Sequence, residues 1–98
     1  MDNQHRMISG YRELSEEDIR LMNRVKSLGP LIEEVIAEVQ MHIDAQYEPI
    51  SFPLSEERRA ELSRLTRAEP DEWVGVARRQ LQQGLMALTR AVAQPTFF

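Results

Sequence analysis

The sequence predicts an all-α fold: an antiparallel helical hairpin with a short N-terminal segment and a short extra helix, assembling as a compact homo-oligomer. Apolar residues recur at helical spacing in two long stretches, 15–45 and 71–92. Caps and prolines punctuate the chain at the ends of these stretches. No strand alternation, internal repeat or low-complexity tract interrupts them.

The first helix is expected from residue 15. Ser15 with Asp18 three residues on has the form of a capping box, and Glu16 and Glu17 suit the positive helix start. Ile19, Met22, Val25, Leu28, Ile32, Val35, Ile36, Val39 and Ile43 then keep a helical period and form the expected seam. Gly29-Pro30 falls inside it. Proline removes a backbone donor and disfavours helical geometry in its predecessor, so a kink or brief break is expected there.

Residues 46–54, QYEPISFPL, carry two prolines and no period, and read as a connection. Ser55 caps a short helix to about Ala68. Pro70 suits the first turn of a last helix that runs to about Val92. Its seam is Val74, Ala77, Leu81, Leu85, Leu88 and Val92, and the small residues Ala77, Gly84, Ala87 and Ala91 admit a partner helix at close range. Trp73 is expected to pack at the start of this helix.

Length and composition narrow the function. A chain of 98 residues reads as a single domain, 1–98, and buries little apolar surface alone. With no cysteine there is neither a disulfide framework nor a thiolate metal site, so oligomerisation is the expected source of stability. No apolar run approaches the roughly 20 residues of a membrane span, and MDNQHRMISG lacks a signal peptide's apolar core. A cytoplasmic protein without a membrane partner is expected. The net charge of −4 argues against coating DNA, but leaves room for a small anion in a local basic pocket.

Nothing in the sequence recommends an enzyme, a metal or a cofactor. His5 and His42 are the only histidines, and His42 and Asp44 are two apart, on different faces of a helix. Glu33, Glu34 and Glu38 read as a solvated face without a histidine partner. Binding chemistry is better represented. Tyr11, in Gly10-Tyr11-Arg12, precedes the first helix, and an aromatic beside arginine suits stacking on a nucleobase. Eleven of the basic side chains are Arg, and Lys26 is the sole ammonium, a point charge suited to a phosphate. By themselves an exposed tyrosine is more often a packed oligomer contact, and a lone lysine is usually a solvated charge.

Two stretches, QHRMISGYRELSEEDIRLMNRVKSLG (4–29) and DEWVGVARRQLQQGLMALTRAVAQP (71–95), resemble the phage hairpin-domain family of anti-CBASS cyclic-oligonucleotide sponges. The shared fixed points are GYREL, LMN, the lysine before the glycine, and RAVAQP, within about half of the chain. The resemblance implies a homohexamer that captures cyclic dinucleotides such as 3′,3′-cGAMP between protomers, and cyclic trinucleotides in a second class of pocket, without cleaving them. It gives base stacking to Tyr11 and phosphate pairing to Lys26. Host cytoplasm is the implied site of action of such a phage protein. Arg67, and Arg12 by adjacency to Tyr11, are further candidates for the ligand; His5 and Arg6 are candidates for the trinucleotide pocket. Residues 44–70 match no part of the family pattern. The competing reading is a structural or protein-interaction hairpin module with no nucleotide ligand.

Overall fold

The computed structural model describes residues 12–48 and 52–97. Three helices make up its regular structure: α1 (Glu16–Tyr47), α2 (Glu56–Ala68) and α3 (Pro70–Ala93). All three expected helices are present, and no strand occurs among the described residues. The chain divides into two units. One holds the chain up to Leu31 and from Leu81 onward; the other is Ile32–Gln80.

Local chemistry sets most helix ends. At the start of α1 the Asp18 amide donates to Ser15 Oγ at 3.0 Å, and the Ser15 amide donates back to Asp18 Oδ2 at 2.9 Å. This reciprocal box satisfies two amides that have no partner inside the helix. Ser55 repeats half of the motif on α2, accepting from the Arg58 amide at 3.0 Å. Glu69 then turns the chain in a left-handed conformation (φ 51°, ψ 52°), its amide donating to Leu65 O at 3.1 Å. Its carbonyl accepts from Trp73 at 3.2 Å, so one residue closes α2 and opens α3, with Pro70 in the first turn. Gln94, also at positive φ, closes α3 by donating to Arg90 O at 2.7 Å.

The chain does not break at Gly29-Pro30: α1 runs through Pro30 as one helix. Proline in a helix interior costs about 3 kcal/mol, because the carbonyl four residues back, here of Lys26, loses its donor. Burial of Ile36 and Ile43 farther along the same helix offsets that cost.

In the Ile32–Gln80 unit, Ile36, Ile43 and Leu65 form the buried core, with Leu65 only 2% exposed. Polar pairs fix the register of α1 against α3. Arg78 Nη1 donates to both carboxylate oxygens of Glu33 at 2.9 and 3.0 Å, and Gln40 Nε2 donates to Asp71 Oδ1 at 2.7 Å. Advancing from residue 33 to 40 on α1 retreats from 78 to 71 on α3, which makes the pair antiparallel. Arg58 Nη1 donates to Gln46 O at 2.9 Å, tying α2 to the end of α1.

In the other unit the start of α1 lies against the end of α3. Met22, Val25 and Gly29 are half-buried on α1, as are Leu85, Thr89 and Val92 on α3. The seam read from periodicity is only partly covered within one chain. Leu28, Val35 and Val39 are 41%, 56% and 44% exposed, and Leu81 and Leu88 on α3 are 41% and 50% exposed. Trp73, expected to pack, is 64% exposed. Among the described residues no helix is long and apolar enough to cross a membrane.

Candidate functional site

The lead-in to α1 is anchored at Arg12. Its Nη1 lies 2.9 Å from Asp18 Oδ2, and its Nη2 donates to the carbonyl of Val92 at 2.6 Å. Val92 is in the last turn of α3, where carbonyls have no intrahelical donor, so Arg12 acts as a side-chain cap for that helix. Its charge suits the negative end of α3, while Asp18 suits the positive start of α1. The Arg12 hydrogen bond, followed by the Ser15 amide, pulls the Asp18 carboxyl down from 3.8 to about 2.

Within the same unit α1 and α3 enclose an open hollow of about 490 Å³. Met22, Asn23, Val25 and Lys26 line it from α1, and Leu85, Met86 and Thr89 from α3. These positions face one another because residues three and four apart share one side of a helix. Its volume falls in the range of roughly 300–1,000 Å³ typical of small-molecule sites. The surface is chiefly apolar, with one ammonium, one amide and one hydroxyl. Thr89 Oγ1 donates to Leu85 O at 3.0 Å, so its remaining capacity is as an acceptor.

Charge bookkeeping leaves Lys26, like Arg24, Arg59, Arg67 and Arg79, outside the ion pairs among the described residues. Arg20 pairs with Glu17, Arg64 with Glu61, Arg78 with Glu33 and Arg12 with Asp18. Positions 22, 23, 29 and 30, the helical neighbours of Lys26, carry no carboxylate, and no ion pair reaches it among the described residues. A cation with no ion pair among the described residues, beside an apolar hollow, suits an anion with flat apolar faces. Glu17 and Glu61, by contrast, are held below the usual carboxylate range chiefly by hydrogen bonds from Arg20 and Arg64.

The other sequence candidates separate. Tyr11, His5 and Arg6 lie outside the described residues. Arg12 and Lys26 belong to the unit that holds the hollow, and Arg67 to the Ile32–Gln80 unit. Arg67 stands exposed in the last turn of α2 with no ion pair among the described residues, whereas Arg64 Nε and Nη2 grip Glu61 at 3.0 and 2.5 Å. Periodicity did not single out Asn23, Met86 or Thr89 as lining residues. Asn23 was legible only as part of the LMN stretch that precedes Lys26 by one turn. Among the described residues no cluster of His, Asp and Glu suits a metal ion.

Comparison with known proteins agrees with the resemblance read from the sequence. The family model described as Acb2/Tad1, hairpin domain, matches residues 3–93. The chain is 40% identical over 105 aligned positions to Anti-CBASS protein 2 of Pseudomonas phage JBD67, a match covering 97% of each chain.

Proposed function

Because this chain belongs to the Acb2/Tad1 hairpin-domain family, we propose that it is a phage anti-CBASS protein that sequesters cyclic nucleotide messengers in the host cytoplasm. It binds cyclic dinucleotides, with 3′,3′-cGAMP as the reference ligand, and cyclic trinucleotides. It holds them uncut, and the defence effector is starved of its signal. The observation that carries this reading is Lys26, an ammonium with no ion pair among the described residues, which lines an apolar hollow of about 490 Å³. In it Tyr11 stacks on the bases, Lys26 meets the phosphates, and Arg67 offers a bidentate fork to a phosphate held by another protomer. His5 and Arg6 are assigned to the trinucleotide pocket.

Ligand symmetry supports an assembly. A cyclic dinucleotide has two bases, two phosphates and an approximate twofold axis, so a twofold-related pair of chains offers matching copies of Tyr11 and Lys26. A cyclic trinucleotide asks for a threefold site, and a hexamer contains both axes. The apolar positions left open in one chain, at Leu28, Leu31, Val35 and Val39 on α1 and at Leu81 and Leu88 on α3, suit burial between copies.

The same exposed positions favour the second reading, a structural or protein-interaction hairpin with no nucleotide ligand. Thermal shift with cyclic di- and trinucleotides separates the two. The messenger-binding reading expects a rise in Tm that grows with ligand concentration. Chromatography after denaturation should recover the ligand intact. No shift with any cyclic nucleotide favours the hairpin module, and linear products would replace sequestration with cleavage.

A further inference from the structure

Pro30 is the residue of α1 least suited to its place. It lies in the middle of a 32-residue helix, and proline is the least favourable residue for a helix interior. Lacking an N–H, it leaves the carbonyl of Lys26, four residues back, without the donor that an α-helix supplies. The hydroxyl of the adjacent Ser27 does not replace that donor, because it donates to Arg24 O at 2.6 Å. Among the described residues no side chain donates to the Lys26 carbonyl.

The position of this carbonyl gives it a use. Asn23, Lys26 and Pro30 recur at i, i+3 and i+7 along one exposed strip of α1, and Asn23 and Lys26 line the hollow. A helical carbonyl points along the axis towards the residue four on, so the Lys26 oxygen opens on the turn between Lys26 and Pro30. The neighbouring space is clear: a methyl group placed on the half-buried Gly29 meets nothing within 4 Å. A helix rule broken within one turn of a candidate site, and compensated elsewhere, is the pattern expected of a functional position.

We propose that the main-chain carbonyl of Lys26, left without a helical donor by Pro30, is a further polar contact of the hollow and accepts a hydrogen bond from the ligand. This rests on the cyclic-nucleotide reading and supplies a second half to its recognition. The Lys26 ammonium only donates, so it addresses a phosphate. The phosphates of a cyclic dinucleotide carry no proton at neutral pH, so they cannot answer a carbonyl. The donors that can are the base N–H groups and the ribose hydroxyls. One residue thereby presents a donor and an acceptor to different parts of one ligand.

The test uses the full chain with 3′,3′-cGAMP as the probe. Lys26 is the sole lysine, so lysine carrying 13C at its carbonyl labels this group alone. In the parent, saturation with the probe should move that resonance downfield, the direction in which a carbonyl moves when it accepts a hydrogen bond. In Pro30→Ala the alanine N–H takes the carbonyl beforehand, and the displacement should be largely lost. Pro30→Ala should also melt higher than the parent without ligand, since alanine is the better helix former, yet bind about three- to tenfold more weakly. A 2′-deoxy analogue of the probe identifies the donor: a displacement kept with it assigns a base N–H, and one lost with it assigns a ribose hydroxyl. An unmoved resonance in the saturated parent, or the same displacement and affinity in Pro30→Ala, overturns the acceptor and leaves the nucleotide reading standing. No binding to the parent by calorimetry fails both together.

Discussion

Lys26 on α1 and Thr89 on α3 line one hollow, and the rest of its lining is the Asn23 amide and the apolar side chains of Met22, Val25, Leu85 and Met86. This places an ammonium group on a surface that is otherwise suited to flat, weakly polar rings. The pairing follows from antiparallel helices and from the absence of a carboxylate one turn either side of Lys26.

Replacing Lys26 with alanine should therefore remove binding without removing the fold. Loss of a hydrogen bond to a charged group is worth about 1.5–3 kcal/mol, so Kd for 3′,3′-cGAMP should rise roughly 10- to 100-fold. Calorimetric titration, with circular dichroism as the control for folding, checks this. Unaltered affinity in a folded variant would move the site elsewhere.

The Asp18 carboxyl gives the protein a defined acid response. Its folded-state pKa, about 2, lies below the ordinary value of 3.8. A depressed carboxylate contributes stability that is present above 3.8 and drains away as pH falls towards 2. Asp18→Asn should flatten the dependence of Tm on pH in that window, with the largest difference from the parent at neutral pH. Parallel melting curves at every pH would show that the carboxyl plays no such part.

Leu65 is the most deeply buried side chain, at 2% exposure, and it locks α2 into its unit. Leu65→Ala should cost about 2–5 kcal/mol, read as a lower denaturant midpoint. An equal truncation at Leu31, 58% exposed, should cost far less in a single chain. A similar cost at both positions would mean that Leu31 is covered in the assembly.

Gly84 tests the assembly from the other helix. Nothing lies within 4 Å of a methyl group placed there, so the single chain tolerates a larger residue. Glycine also weakens a helix by about 1 kcal/mol relative to alanine. Gly84→Leu should preserve helix content while obstructing close approach of another copy along the exposed Ala77-Gly84-Ala91 stripe. Light scattering should report a smaller species. An unchanged molar mass would place the interface on a different face.

The legible parts of this fold are those decided by neighbours in sequence. Ser15 with Asp18, Ser55 with Arg58, and Pro70 in the first turn of α3 all act within a single turn, and each stands where the sequence put it. At Pro30 the chain does not break, because a local breaker signal competes with the packing of the whole helix, and Ile36 and Ile43 lie beyond it. The Arg12 bond to Val92 spans 80 positions and depends on how α1 meets α3, which no pattern around Arg12 encodes. Trp73 and the uncovered apolar residues show a further limit: periodicity identifies a face that avoids water without saying which surface covers it. Lys26 drew notice as the sole lysine, but the role proposed for it comes from the family resemblance.

Native mass spectrometry of the full chain with 3′,3′-cGAMP bears most directly on the site, because it weighs the assembly and counts its ligands together. A homo-oligomer with an even number of chains, carrying one intact ligand for each pair, is expected, with occupancy lost in Lys26→Ala. A chain that stays monomeric, or an assembly that takes up no ligand at concentrations well above the physiological range, would contradict it.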